Sequence, residues 1–143
     1  MLKVLLPVDG SESSLRAVEF AARNKDWYKD GIDIQLLNVQ PGLPFGSRVS
    51  SVIGHDTVAN YHREEGMKAL EPAMQKLLQA GVQHSEHICV GDPSEMIVDY
   101  AREKGCALIL MGTRGVGTTT SLLLGSVATK VIHLSTVPVL LVK

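Results

Sequence analysis

The feature that most restricts the fold is a set of short apolar runs with no polar alternation. Lys3-Val4-Leu5-Leu6-Pro7-Val8 is almost wholly apolar and stops at Asp9-Gly10. Ala107 to Met111 is apolar throughout, and the chain closes on a run from about Val137 to Val142. A strand with one face in water alternates apolar and polar residues. A strand without alternation is covered on both faces, as in a parallel sheet sandwiched between helices.

Helical patterns separate these runs. After Asp9-Gly10, Ser11 can cap a helix and Glu12 favours its first turn, while Leu15, Val18, Ala21 and Ala22 recur at helical spacing. Ile32, Ile34, Leu36, Leu37 and Val39 form a second strand. Pro41 to Thr57, rich in Gly, Pro and Ser, reads as a long loop, which in a compact domain is functional or mobile. Asp56 to about Gln79 reads as a long helix kinked at Pro72 and stopped by Gly81. Val82 to Val90 is a strand polar over its first half, which suits an edge. Asp92-Pro93, with Glu95 three residues after the cap, opens a helix that Gly105 ends. Gly125-Ser126 precedes the last helix, through Val127, Val131 and Leu134.

Five strands alternating with four helices predict a doubly wound α/β fold with one mostly or wholly parallel sheet, filling residues 1–143 as a single domain. Ligands of such sheets bind at the carboxyl ends of the strands, where the strand order reverses. Two turns look specialised: Val8-Asp9-Gly10-Ser11 after the first strand, and Gly112-Thr113-Arg114-Gly115-Val116-Gly117 after the fourth. If both border one crevice, strands one and four are neighbours. That selects the order 3-2-1-4-5 over 2-1-3-4-5, and puts the polar third strand and the Pro138-containing fifth strand at the edges.

Composition narrows the ligand. With 14 basic and 15 acidic residues and no run of like charge, the chain offers no broad surface for nucleic acid or anionic lipid. No apolar run approaches the ~20 residues of a membrane span. Lys3 and the brief stretch before Pro7 are too short for a signal-peptide core, so a cytoplasmic protein is expected. Cys89 and Cys106 lack C-x-x-C spacing and read as buried, inert thiols. No pair among the five histidines has metal-site spacing, and Met67 and Met74 read as core packing.

A small anion remains. Without Cβ atoms, Gly112 and Gly115 let the backbone approach a phosphate and turn its N–H groups toward it, and a helix starting at Gly125-Ser126 adds free N–H groups and a hydroxyl. The same glycines equally suit a tight exit turn, with Ser126 as a plain cap. A P-loop is excluded because no Lys lies between Gly125 and Ser126, and no G-x-G-x-x-G follows the first strand.

Gly112-x2-Gly115-x9-Gly125-Ser126 resembles, in full, the G-x2-G-x9-G-[ST] signature of the ATP-binding branch of the universal stress proteins. The resemblance extends to Val4-Leu5-Leu6-Pro7-Val8-Asp9-Gly10-Ser11, to Gly91-Asp92-Pro93 and to Pro138-Val139-Leu140-Leu141-Val142, and so spans the chain. It implies ATP or another adenine nucleotide, with Asp9 near ribose or adenine, the backbone around Val39 against the base, and Pro7, Val8 and Met111 in the same site. The triphosphate would rest on Gly112, Gly115, Gly125, Ser126 and Val127, accompanied by Mg or Mn. Ala128 departs from relatives that carry a hydroxyl there, which implies one phosphate contact fewer. Asp9 also suits a plain turn or cap, and Arg114 reads either as a phosphate contact or as a solvated loop residue. The resemblance further implies a homodimer joined through Val137–Val142, and a nucleotide-responsive stress or signalling module with at most slow hydrolysis. The competing readings are an ATP-using enzyme, which would want an S-G-G-type loop after strand one and an acid/base pair, and a receiver-like phosphoacceptor, which would want clustered acids there.

Overall fold

The computed structural model describes residues 1–43, 51–116 and 123–143. In chain order it contains β1 (Leu2–Pro7), α1 (Glu12–Arg23), a 3-10 turn (Lys25–Trp27), β2 (Ile32–Gln40), α2 (His55–Gln79), β3 (Gln83–Val90), α3 (Pro93–Glu103), β4 (Leu108–Gly112), α4 (Ser126–Leu134) and β5 (Val139–Val142). The strands form one sheet in the order β3-β2-β1-β4-β5, every pairing parallel. This is the expected α/β architecture with helices on both faces.

The unalternating strands are buried as their composition requires. Val4 and Leu6 of β1, and Val8 just after it, turn into the core shared with α1 and α2, with Ile34 and Leu36 of β2 and Leu110 of β4. Leu5, one residue out of phase, faces the opposite core with Leu37, Ile109, Met111, and Ile97, Ala101 and Val131 from α3 and α4. Leu5, Leu6, Ile34, Leu36, Leu37 and Ile109 are fully buried.

Helix ends follow local chemistry. The Ser11 hydroxyl accepts the Ser14 N–H at 3.2 Å, and the Asp92 carboxylate accepts that of Glu95 at 3.1 Å. That contact first, and Lys130 beyond it, hold the Asp92 carboxyl below the usual carboxylate range. After α2, Gly81 takes φ 68°, the Gly81 N–H donates to Leu78 O, and Val82 N–H reaches back to Leu77 O at 2.9 Å. Gly105 repeats the arrangement after α3, with φ 66° and Cys106 N–H on Ala101 O. Both are the paired hydrogen bonds of a Schellman ending.

Three boundaries differ from expectation. Residues 51–53 are helical and α2 starts at His55, so only part of Pro41–Thr57 reads as loop; of that stretch, 44–50 lie outside the described residues. Gly and Ser content marked the stretch as irregular, but Asp56 in the first turn favours a helix directly after Gly54. Pro138 precedes β5 rather than belonging to it, and contributes its carbonyl to Ile109 N–H at 2.9 Å. Finally, Gly125 rather than Ser126 caps α4. No described helix is long and apolar enough to cross a membrane.

Candidate functional site

Adjacent parallel strands whose connections leave on opposite faces open a crevice between them. β1 and β4 are such a pair. They are hydrogen-bonded neighbours, α1 packs on one face after β1, and α4 packs on the other after β4.

At the carboxyl ends of these strands lies a cleft that opens to solvent, its water-accessible volume about 120 Å³. Ten of the twelve residues singled out above line it: Pro7, Val8 and Asp9 after β1, Val39 on β2, Met111, Gly112, Arg114 and Gly115 after β4, and Val127 and Ala128 on α4. Gly125 and Ser126 do not. The Gly125 N–H donates to Thr113 O at 2.6 Å, and a Cβ at this position would stand 3.3 Å from Arg114 Cα. Gly125 therefore fastens the start of α4 to the glycine turn.

Four lining residues had not been singled out: Ser14, Leu37, Pro93 and Ile97. Leu37 is two residues before Val39 and so shares its strand face, and Ile97 lies one helical turn beyond Pro93. Ser14 carries no sequence signal, because its hydroxyl donates to Ser11 O within α1. Together, Leu37, Val39, Pro93 and Ile97 make one end of the cleft apolar.

The other end is polar and tightly built. A Cβ on Gly112 would fall 2.5 Å from Ser13 Oγ and 2.6 Å from the Ser13 carbonyl carbon and oxygen. The missing side chain therefore admits the first turn of α1. Arg114 N–H donates to Ser13 Oγ at 3.2 Å. Asp9 spans both specialised turns: Oδ1 accepts Ser11 N–H at 2.9 Å, and Oδ2 accepts Val116 N–H at 3.0 Å. Two amides of the glycine turn thus face acceptors within the protein, where glycine spacing alone had suggested donors turned toward a ligand.

The Thr129 hydroxyl, next to Ala128, donates to Gly125 O at 2.9 Å and points along its own helix. It does not replace a hydroxyl at the buried Ala128. Burial pushes the Cys89 and Cys106 thiols up, which keeps them protonated at neutral pH. Among the described residues no His, Cys, Asp and Glu cluster could hold a metal ion.

The model of the universal stress protein family matches residues 1–143. The chain belongs to this family. As a universal stress protein it is 35% identical over 149 residues to YxiE of Bacillus subtilis, covering 99% of this chain and 98% of that one. The solved structure of MJ0577, a universal stress protein of Methanocaldococcus jannaschii, superposes with a TM-score of 0.82 at 31% identity, over 99% of this chain and 95% of that one. A universal stress protein crystallised in complex with cAMP superposes with a TM-score of 0.65 at 26% identity, over 99% and 95% of the two chains.

Proposed function

We propose that this universal stress protein binds an adenine nucleotide, ATP in the first instance, in the cleft between β1 and β4, as a cytoplasmic nucleotide-responsive module in which any hydrolysis is slow. The observation that carries the reading is the convergence of Asp9, Val39, Gly112, Arg114, Gly115 and Val127, distant in sequence, on one cleft at the reversal of strand order. The cAMP complex of a related protein supports an adenine nucleotide as the ligand class. The base would lie in the apolar end against Leu37, Val39, Pro93 and Ile97. The phosphates would lie between the glycine turn and the first turn of α4, whose leading N–H groups and helix dipole favour anions. Mg or Mn would accompany the phosphates and offset their charge beside Asp9.

Melting the protein with ATP and Mg tests this. A ligand held only by the folded state stabilises it by ~2.7 kcal/mol at a hundredfold excess over Kd, which for a chain of this size is a rise of about 8 °C. Millimolar ATP and Mg without a shift sink the reading.

The same reading includes a homodimer through β5. This strand is one of the two sheet edges, and Leu140 on it, on the face that carries α1, is 37% exposed. An apolar edge with unpaired backbone groups invites antiparallel pairing with a second copy across a two-fold axis. Truncation after Thr136 would also strip Val139 and Leu141 from the core, so Leu140→Lys is the sharper variant. Sedimentation velocity at tens of micromolar should show a dimeric wild type and a monomeric Leu140→Lys protein. A monomeric wild type, with or without ATP, removes the dimer.

A further inference from the structure

The Asp9 carboxylate sits where an anionic ligand of the glycine turn would sit. Its two oxygens take N–H groups from two different turns, Ser11 after β1 and Val116 after β4. Oδ2 lies so close to Gly115 that a Cβ there would be 2.9 Å away. Asp9 is exposed and lines the cleft, so its carboxylate is a charged acceptor inside the site.

We propose that Asp9 is an internal competitor for ligand phosphate: its carboxylate takes the Val116 amide, and a nucleotide phosphate must displace it from that amide to settle on the turn. The proposal rests on the nucleotide reading above and adds a means of regulation to that site. Charge-assisted hydrogen bonds to carboxylate and phosphate are of one kind, so the two anions are true alternatives at one donor. They cannot share it, because two anions that close together repel. The exchange costs part of the affinity the phosphates supply, and nothing of the affinity the nucleoside supplies. The site therefore discriminates weakly between nucleotides of different phosphate number when no divalent cation is present, and more strongly when a cation screens the phosphates from Asp9. Release of Asp9 would also untie the turn after β1 from the turn after β4, so that phosphate occupancy, rather than base occupancy, is what changes the cleft rim.

The test is calorimetric titration of the full chain, wild type and Asp9→Asn, with adenosine and with ATP, each with and without Mg. The ratio of the two affinities isolates what the phosphates add. Asn keeps the size of Asp and can still accept from Ser11, but has no charge to set against phosphate. Without Mg, the ATP-to-adenosine ratio should rise about tenfold in Asp9→Asn, the order expected when one charged acceptor stops competing. With Mg the rise should be smaller. In wild-type amide spectra the Val116 resonance should move with ATP and stay in place with adenosine, a readout independent of the variant's stability. An unchanged or smaller ratio in Asp9→Asn, with ATP still bound, overturns the competition and leaves the nucleotide reading standing. So does an equal loss of adenosine and ATP affinity, which would make Asp9 a nucleoside contact only. If neither protein binds adenosine or ATP, both readings fall together.

Discussion

Replacing Gly112 with Ala is expected to destabilise the protein by about 3 kcal/mol, at the upper end of what overpacking by one methyl costs, and to lower its melting temperature by about 10 °C. The reason lies in what the added carbon would meet. Ser13 Oγ at 2.5 Å could turn away, but the Ser13 carbonyl carbon and oxygen at 2.6 Å are main chain in the first turn of α1. That turn is held by the Ser11 cap and by the buried Ser13, which is 4% exposed. Relief would require α1 to retreat from β4, breaking the Arg114 N–H bond to Ser13 Oγ and widening the cleft. A double variant separates side-chain from main-chain crowding. Gly112→Ala with Ser13→Gly removes Oγ and leaves the carbonyl, so it should melt no higher than Gly112→Ala alone. A Gly112→Ala protein that melts within about 2 °C of wild type would show that the approach of α1 to β4 is not the constraint inferred.

The same residue shows how far the sequence could be read. Apolar runs without alternation at Val4–Val8 and Ala107–Met111 were enough to demand a parallel sheet, because burial on both faces leaves no polar phase to find. The strand order followed from placing the two specialised turns side by side, and the structure has it. Helix ends were legible where one residue decides them, as at Ser11, Asp92, Gly81 and Gly105. What glycine spacing could not distinguish was the partner each glycine serves. Gly112 accommodates α1 at Ser13, far away along the chain, and Gly125 accommodates the glycine turn itself across a loop, and proximity of either kind has no local signature. Leu37 and Ile97 were within reach of a periodicity argument from Val39 and Pro93, whereas the bond from Asp9 to Val116 N–H, across 107 positions, was not. The start of α2 was legible to within one residue, at Asp56 against the observed His55, whereas the helical residues 51–53 were hidden because the surrounding Gly, Pro and Ser signal a loop.

Gly115→Asp should abolish ATP binding, with a loss of at least about a hundredfold, while leaving the fold in place. The contrast with Gly112 is in the atoms that a new side chain meets. At Gly115 the nearest is Asp9 Oδ2 at 2.9 Å, the end of an exposed side chain that can rotate away. The structural cost is then the bond to Val116 N–H, about 1 kcal/mol for a hydrogen bond of this kind, and the melting temperature should fall by only about 3–4 °C. The effect on binding is far larger, because the variant sets a second carboxylate beside the first at the place proposed for phosphate. Two negative groups facing a third lose the attraction of the turn amides and add repulsion that water screens poorly within the cleft. Gly115→Ala supplies the comparison. It adds the same Cβ without the charge, so it should keep most of the fold and lose binding only in part. Calorimetry with ATP and Mg, beside melting curves of both variants, reads the two effects separately. ATP binding by Gly115→Asp at wild-type affinity would mean that phosphate does not approach this turn, and that the glycines of the signature serve only the packing of β4 against α1 and α4.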